Sequence, residues 1–214
     1  MTSKILLGTL ADGTPIQEVT LRSPAGAQAT VMEWGAVLRD LVVPHGGELR
    51  RVVLGFPNLA DYPAHSPHMG AIAGRYANRI GHGRFTLDGR DYRMPLNQAG
   101  RHCLHGGPDG FSKRPWTIAH HDEASVTLAL VSPDGDAGCP GTLSVWCRYS
   151  LVHDATLRIE LTATTDAATV VNLAHHSYFR LDDAPDLLDH ELEISANLIP
   201  PVDADLIPDG SLAQ

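Results

Sequence analysis

The sequence predicts an all-β protein, an antiparallel sandwich or a barrel. Apolar residues recur with period two in several short stretches, which places them on one face of a strand. Segments rich in Pro, Gly and Asp, such as Ser132 to Gly141, separate those stretches at the short spacing of antiparallel sheets. No long amphipathic helical pattern competes with them.

Taken in order, Lys4-Ile5-Leu6-Leu7 faintly resembles the start of a signal peptide, but Asp12 cuts the apolar region short, and a first strand is the better reading. Asp88-Gly89, between Phe85-Thr86-Leu87 and Tyr92, is a dipeptide favoured in two-residue hairpins, where both central residues take positive φ. Val126, Leu128 and Leu130 form one stripe, with Thr127 and Ala129 opposite. Leu143, Val145, Cys147, Tyr149 and Leu151 form a second, against Ser144, Trp146, Arg148 and Ser150. Leu157, Ile159 and Leu161 form a third. No repeat, low-complexity run or linker divides residues 1–214, and this length suits one domain with a sizeable core.

Composition narrows the function. Apolar residues at 43% and charged residues at 19% are ordinary for a globular chain. A net charge of -9 argues against nucleic acid or an anionic membrane as partner, because both select basic surfaces. A neutral small molecule suits it, and nothing in the sequence sets an oligomeric state. Arginine outnumbers lysine fourteen to two, a composition bias rather than a functional sign. Cys103, Cys139 and Cys147 are odd in number and lack C-x-x-C spacing, so neither a disulfide framework nor a thiolate zinc site is expected. No apolar run approaches the ~20 residues of a membrane helix, and a cytoplasmic location is the default expectation. Twelve histidines invite a zinc reading, yet His175-His176, His120-His121 and His65/His68 form no convincing ligand set.

The pair His175-His176 interrupts Val170 to Leu181, which otherwise reads as a strand. Alternation puts Val170, Asn172, Ala174, His176 and Tyr178 on one mixed face. Val171, Leu173, His175, Phe179 and Leu181 fall on the other, which is expected to be buried. A working histidine is therefore expected at His176, flanked by Asn172 and Tyr178.

Asn172-Leu173, His176-Ser177-Tyr178-Phe179 and Leu181 resemble the N-L-x-N-H-x-Y-F-N-L signature of the aldose 1-epimerases, or galactose mutarotases. His175 and Arg180 stand where that family usually has asparagine. Three further motifs follow the family's order. Gly70 to Ile80 is similar to G-x-x-x-G-R-x-A-N-R-I, Asn97 with Leu104-His105-Gly106-Gly107 to N-x-x-x-x-x-L-H-G-G, and Gly138 to Gly141 to a G-x-P-G turn. Gly110-Phe111 and Trp116 lie at familiar spacing, and Trp116 suits the core as well as a sugar-stacking platform. Ser195 to Gly210 resembles the segment after the family's histidine strand.

The resemblance implies the galactose mutarotase-like supersandwich, here incomplete at its C-terminal side. It implies interconversion of the α and β anomers of free aldohexoses, with no cofactor or metal. His176 would be the general acid and His105 a second catalytic group. Asn78, Arg79, His105 and Tyr178 would hold the sugar. Arginine suits that grip as a fixed fork of donors, and glycine pairs let the backbone approach a ligand. Arg75 is read equally as a site residue or a structural arginine. The family's catalytic glutamate and a sugar-binding aspartate would lie further along, because Glu191, Glu193, Asp203 and Asp205 sit in no matching motif. Residues 1–214 alone are accordingly expected to be a poor catalyst. A non-catalytic sugar binder and a hexose-6-phosphate 1-epimerase are the alternatives.

Overall fold

A computed structural model describes residues 3–65, 68–153 and 155–214. The first quarter of the chain is an antiparallel meander of β1 (Ile5–Thr9), β2 (Pro15–Arg22), β3 (Gln28–Met32), β4 (Leu38–His45) and β5 (Glu48–Arg51), ordered β1-β2-β3-β4-β5. β4 and β5 are joined by Gly46-Gly47, both at positive φ (60° and 86°), with His45 opposite Glu48. Glycine reaches that region without the penalty other residues meet, and the turn's twist matches the strands. The expected first strand is β1.

The middle of the chain is made of short pieces. They are α1 (Asp61–His65), β6 (Ile72–Ala73), β7 (Arg79–Ile80), β8 (Arg84–Leu87), β9 (Arg90–Arg93) and β10 (Cys103–Leu104). β8 and β9 pair Leu87 with Arg90 across Asp88 (φ 50°) and Gly89 (φ 74°), the hairpin that the dipeptide predicts.

A second antiparallel sheet follows, β11 (Thr117–His121), β12 (Ser125–Ser132), β13 (Leu143–Val152) and β14 (Thr156–Thr165), in sequential order. The predicted stripes are its inner face. Val126 and Leu128 from β12, and Leu143, Val145, Cys147, Tyr149 and Leu151 from β13, are buried. They share one apolar cluster with Val19, Leu21, Ala29, Val31, Leu38 and Leu41 of the first sheet. The two sheets thus close a sandwich through facing apolar rows. Fully buried Tyr149 fastens the layers by donating its hydroxyl to the Ala36 carbonyl at 2.7 Å. Satisfying that hydroxyl matters, since an unpaired one there costs about 1–3 kcal/mol.

The stretch Val170 to Leu181 departs from its expectation. Only Ala174–His175 (β15) forms a ladder, with β6, while Asn172 and Phe179 make isolated bridges to Tyr76 and Val53. Its second face is buried only in part. Leu173 packs against the core, but Val171, Phe179 and Leu181 are 41%, 47% and 58% exposed. The reason is local. The stretch leans on three short partners in turn rather than lying in a broad sheet with a layer above it. Among the described residues, no helix is long and apolar enough to cross a membrane.

Candidate active site

Strand alternation carries through the histidine pair even where the ladder ends. The His176 amide donates to the Ala71 carbonyl (2.9 Å), and its carbonyl accepts from the Gly70 amide (3.0 Å). His176 and Tyr178 fall on one side, their rings 5.2 Å apart. His175 falls on the other, edge-on to Tyr149 at 5.9 Å, with Nε2 3.1 Å from the Ser177 hydroxyl. Burial holds His175 neutral, its pKa down to about 4, with charge on His176 adding to the effect.

His105 reaches His176 from a different part of the chain. Its ring meets His176 edge to face at 5.1 Å. β7 and β10 pair Arg79 with Leu104, which brings Asn78 against His105. The Asn78 amide donates to His105 Nδ1 (3.0 Å), and the His105 amide donates to the Asn78 carbonyl (2.9 Å). Both residues hold positive φ, 63° and 50°, a conformation that non-glycine residues adopt only when surroundings enforce it. Because an amide can only donate, Nδ1 must be the acceptor. In the neutral ring the hydrogen then sits on Nε2, making His105 a fixed donor. Burial lowers its pKa to about 4, helped by His68, His176 and Arg79.

The loop supporting His105 explains the H-G-G motif. Asn97 imitates a strand neighbour, donating to the Leu104 carbonyl (2.9 Å) and accepting from the Leu104 amide (2.7 Å). Gly106 at φ 82° passes so near Gly74 that a Cβ would stand 2.0 Å from its carbonyl oxygen. Arg79 is held by Gln98 (2.8 Å) and by the Asn78 side chain (2.9 Å).

His68, which metal-ligand spacing alone had set aside, is a third imidazole of the cluster. Its ring lies 4.7 Å from His105 and 5.9 Å from His176, and Nδ1 is 2.9 Å from Ser112 Oγ. No spacing in the sequence signals it, since its partners come from two other loops.

Against known proteins, the aldose 1-epimerase family model matches residues 17–214. The chain belongs to the aldose 1-epimerase family. It is 40% identical over 204 residues to an aldose 1-epimerase of Haemophilus influenzae, covering 94% of this chain and 59% of that protein. A galactose mutarotase of Rattus norvegicus is 41% identical, with 94% and 58% covered. A solved aldose epimerase homologue from C. elegans superposes with a TM-score of 0.86 at 30% identity, covering 99% of this chain and 61% of that one. The chain thus spans about three fifths of the length of the curated relatives it matches.

Other residues of the epimerase motifs are structural. Arg75 is 2% exposed and spends its guanidinium on the carbonyls of Ser132, Pro133, Pro140 and Gly141 and the hydroxyls of Ser132 and Thr169. The even reading of Arg75 resolves to a staple joining the histidine-bearing segments to the turn Pro133–Gly141. The family's G-x-P-G turn supplies two of those carbonyls. Trp116 is core, 2% exposed, with Nε1 donating to the Phe111 carbonyl (3.0 Å). Asn172 spends its side chain on the Ala77 carbonyl (3.0 Å). Tyr178, 43% exposed, is open to solvent beside His176.

Proposed function

We propose that this chain carries the acid and sugar-gripping part of an aldose 1-epimerase site, in one domain, acting on free aldohexoses such as glucose or galactose. The observation that supports it best is the meeting of His176 with His105, Asn78 and Arg79, brought together from separate motifs.

The chemistry follows from the hemiacetal. Opening the ring breaks the bond between the anomeric carbon and the ring oxygen. The proton of the anomeric hydroxyl passes to a base as the aldehyde forms, and the ring oxygen takes a proton from an acid. Rotation of the aldehyde and reclosure from its other face give the other anomer, with each proton returned. His176 is the acid, since it stands beside His105 and solvent-open Tyr178 and its imidazole can carry a proton to the ring oxygen. His105 donates from Nε2 to an oxygen of the sugar, and Arg79 and Asn78 fix its position. Tyr178 offers an aromatic face and a hydroxyl at the rim. The base is the family's glutamate, which the matched motifs do not contain.

Free sugars are the substrate we favour, because the matching family model and the relatives are named for aldose 1-epimerases and galactose mutarotases. The cysteines, all unpaired thiols, fit a reducing cytoplasm. Polarimetry on freshly dissolved α-galactose, α-glucose and glucose 6-phosphate, with the full gene product containing this chain, tests the reading. Accelerated mutarotation of the free sugars is expected. Rates equal to buffer alone would leave a sugar-binding relative, and preference for the phosphate ester would reassign the substrate.

A further inference from the structure

Two of the three imidazoles are tied to partners of different chemistry. His105 Nδ1 faces the Asn78 amide, which can only donate. His68 Nδ1 faces the Ser112 hydroxyl at 2.9 Å, which can donate or accept. Ser112 is 1% exposed, in the turn Phe111–Lys113, so this hydroxyl is shielded from solvent. Rotating it selects the tautomer of His68. With Ser112 accepting, Nδ1 keeps the hydrogen and Nε2 offers a lone pair. With Ser112 donating, Nε2 carries the hydrogen instead.

We propose that His68 is a third sugar-contacting residue of the site, its tautomer set by Ser112, accepting a hydrogen bond from the aldose hydroxyl to which His105 donates. This rests on the aldose reading above. A sugar hydroxyl has one hydrogen to give and lone pairs to receive. A fixed donor and an adaptable acceptor with ring centres 4.7 Å apart complement both functions. The same contact discriminates, because a hydroxyl pointing elsewhere leaves one imidazole unpaired in a half-buried site.

Charge agrees with the assignment. An acceptor must be neutral, and burial first, then the charges of Lys113 and His176, keep His68 neutral down to about 4. His105, whose ring lies 4.7 Å from His68, is itself held neutral by burial.

The test uses the full gene product containing this chain, with galactose and glucose as probes. Side-chain ¹⁵N spectra of the free protein should show His105 solely as the Nε2–H tautomer and His68 as a mixture. Galactose should drive His68 to the Nδ1–H form. His68→Phe, which keeps an aromatic ring, should weaken galactose binding about five- to tenfold, the worth of one neutral hydrogen bond. Ser112→Ala should weaken it less and change the free-state tautomer ratio. Unaltered His68 signals and unaltered affinity in a galactose-binding protein would overturn this contact and leave the aldose reading standing. A wild-type protein that binds neither sugar would overturn both. The wild-type spectra decide the matter even if His68→Phe fails to fold.

Discussion

Replacing Arg75 with methionine is the sharpest test of how the histidine segments are anchored. Methionine fills a similar volume and removes all six hydrogen bonds. Asp136 still has Arg114 at 2.7 Å through both oxygens, and Asp134 and Asp166, whose charges Arg75 also attracts, keep the amides of Gly141 and Thr142. The main loss is that of abandoned acceptors. The bonds to the Gly141 and Ser132 carbonyls are buried, and each stranded carbonyl costs about 1–3 kcal/mol, or about 2–6 kcal/mol together. For a chain of this size each kcal/mol lowers Tm by about 2–4 °C, so Arg75→Met should lower it by about 4–24 °C. Lysine, a point charge without a fork, should recover only part. Thermal unfolding followed by far-ultraviolet circular dichroism measures both variants. An Arg75→Met protein melting within about 1 °C of wild type would refute the staple.

Two further outcomes follow from the same geometry. Gly106→Ala should displace the His105 loop, since its Cβ would lie 2.0 Å from the Gly74 oxygen; hydrogen exchange at Asn78 should rise and Tm fall. Gly135→Ala, at φ 79° with nothing within 4 Å, pays only the backbone term and should cost far less. Comparable losses at the two glycines would remove the close approach from the account. The second outcome concerns pH. His68, His105 and His175 are held near 4 in the fold against about 6.5 unfolded, so the unfolded chain binds more protons between those values. Stability should be level above about pH 6.5 and fall toward pH 4, by at most about 1.4 kcal/mol per pH unit for each group and less for the half-exposed ones. Urea midpoints that stay constant across that window would contradict the neutral assignments.

The sheets were legible in the sequence because their rows face one core. Tyr149 and Val145 lie inside and Arg148 outside, as alternation requires. The side of each histidine was legible for the same reason, since parity survives a change of pairing partner. Exposure was not. Phe179 and Leu181 look like core residues, yet burial depends on what lies above a strand, which alternation does not encode. Arg75 and Arg79 could not be told apart from sequence, being near neighbours in one motif. Only tertiary placement gives one six hydrogen bonds to five residues and sends the other to the histidine cluster. His68 was illegible because a lone histidine gains meaning from neighbours distant in the chain, here Ser112 and His105.

In the proposed reaction His176, and not the adjacent His175, delivers the proton that opens the sugar ring. Polarimetry of α-galactose with the full gene product and its His176→Ala and His175→Ala variants, each checked for folding, tests it directly. Loss of a general acid typically costs about 10²–10⁴-fold. A loss of that order is expected for His176→Ala, and a much smaller change for His175→Ala, whose ring packs against Tyr149. Equal, mild effects of the two substitutions would contradict it.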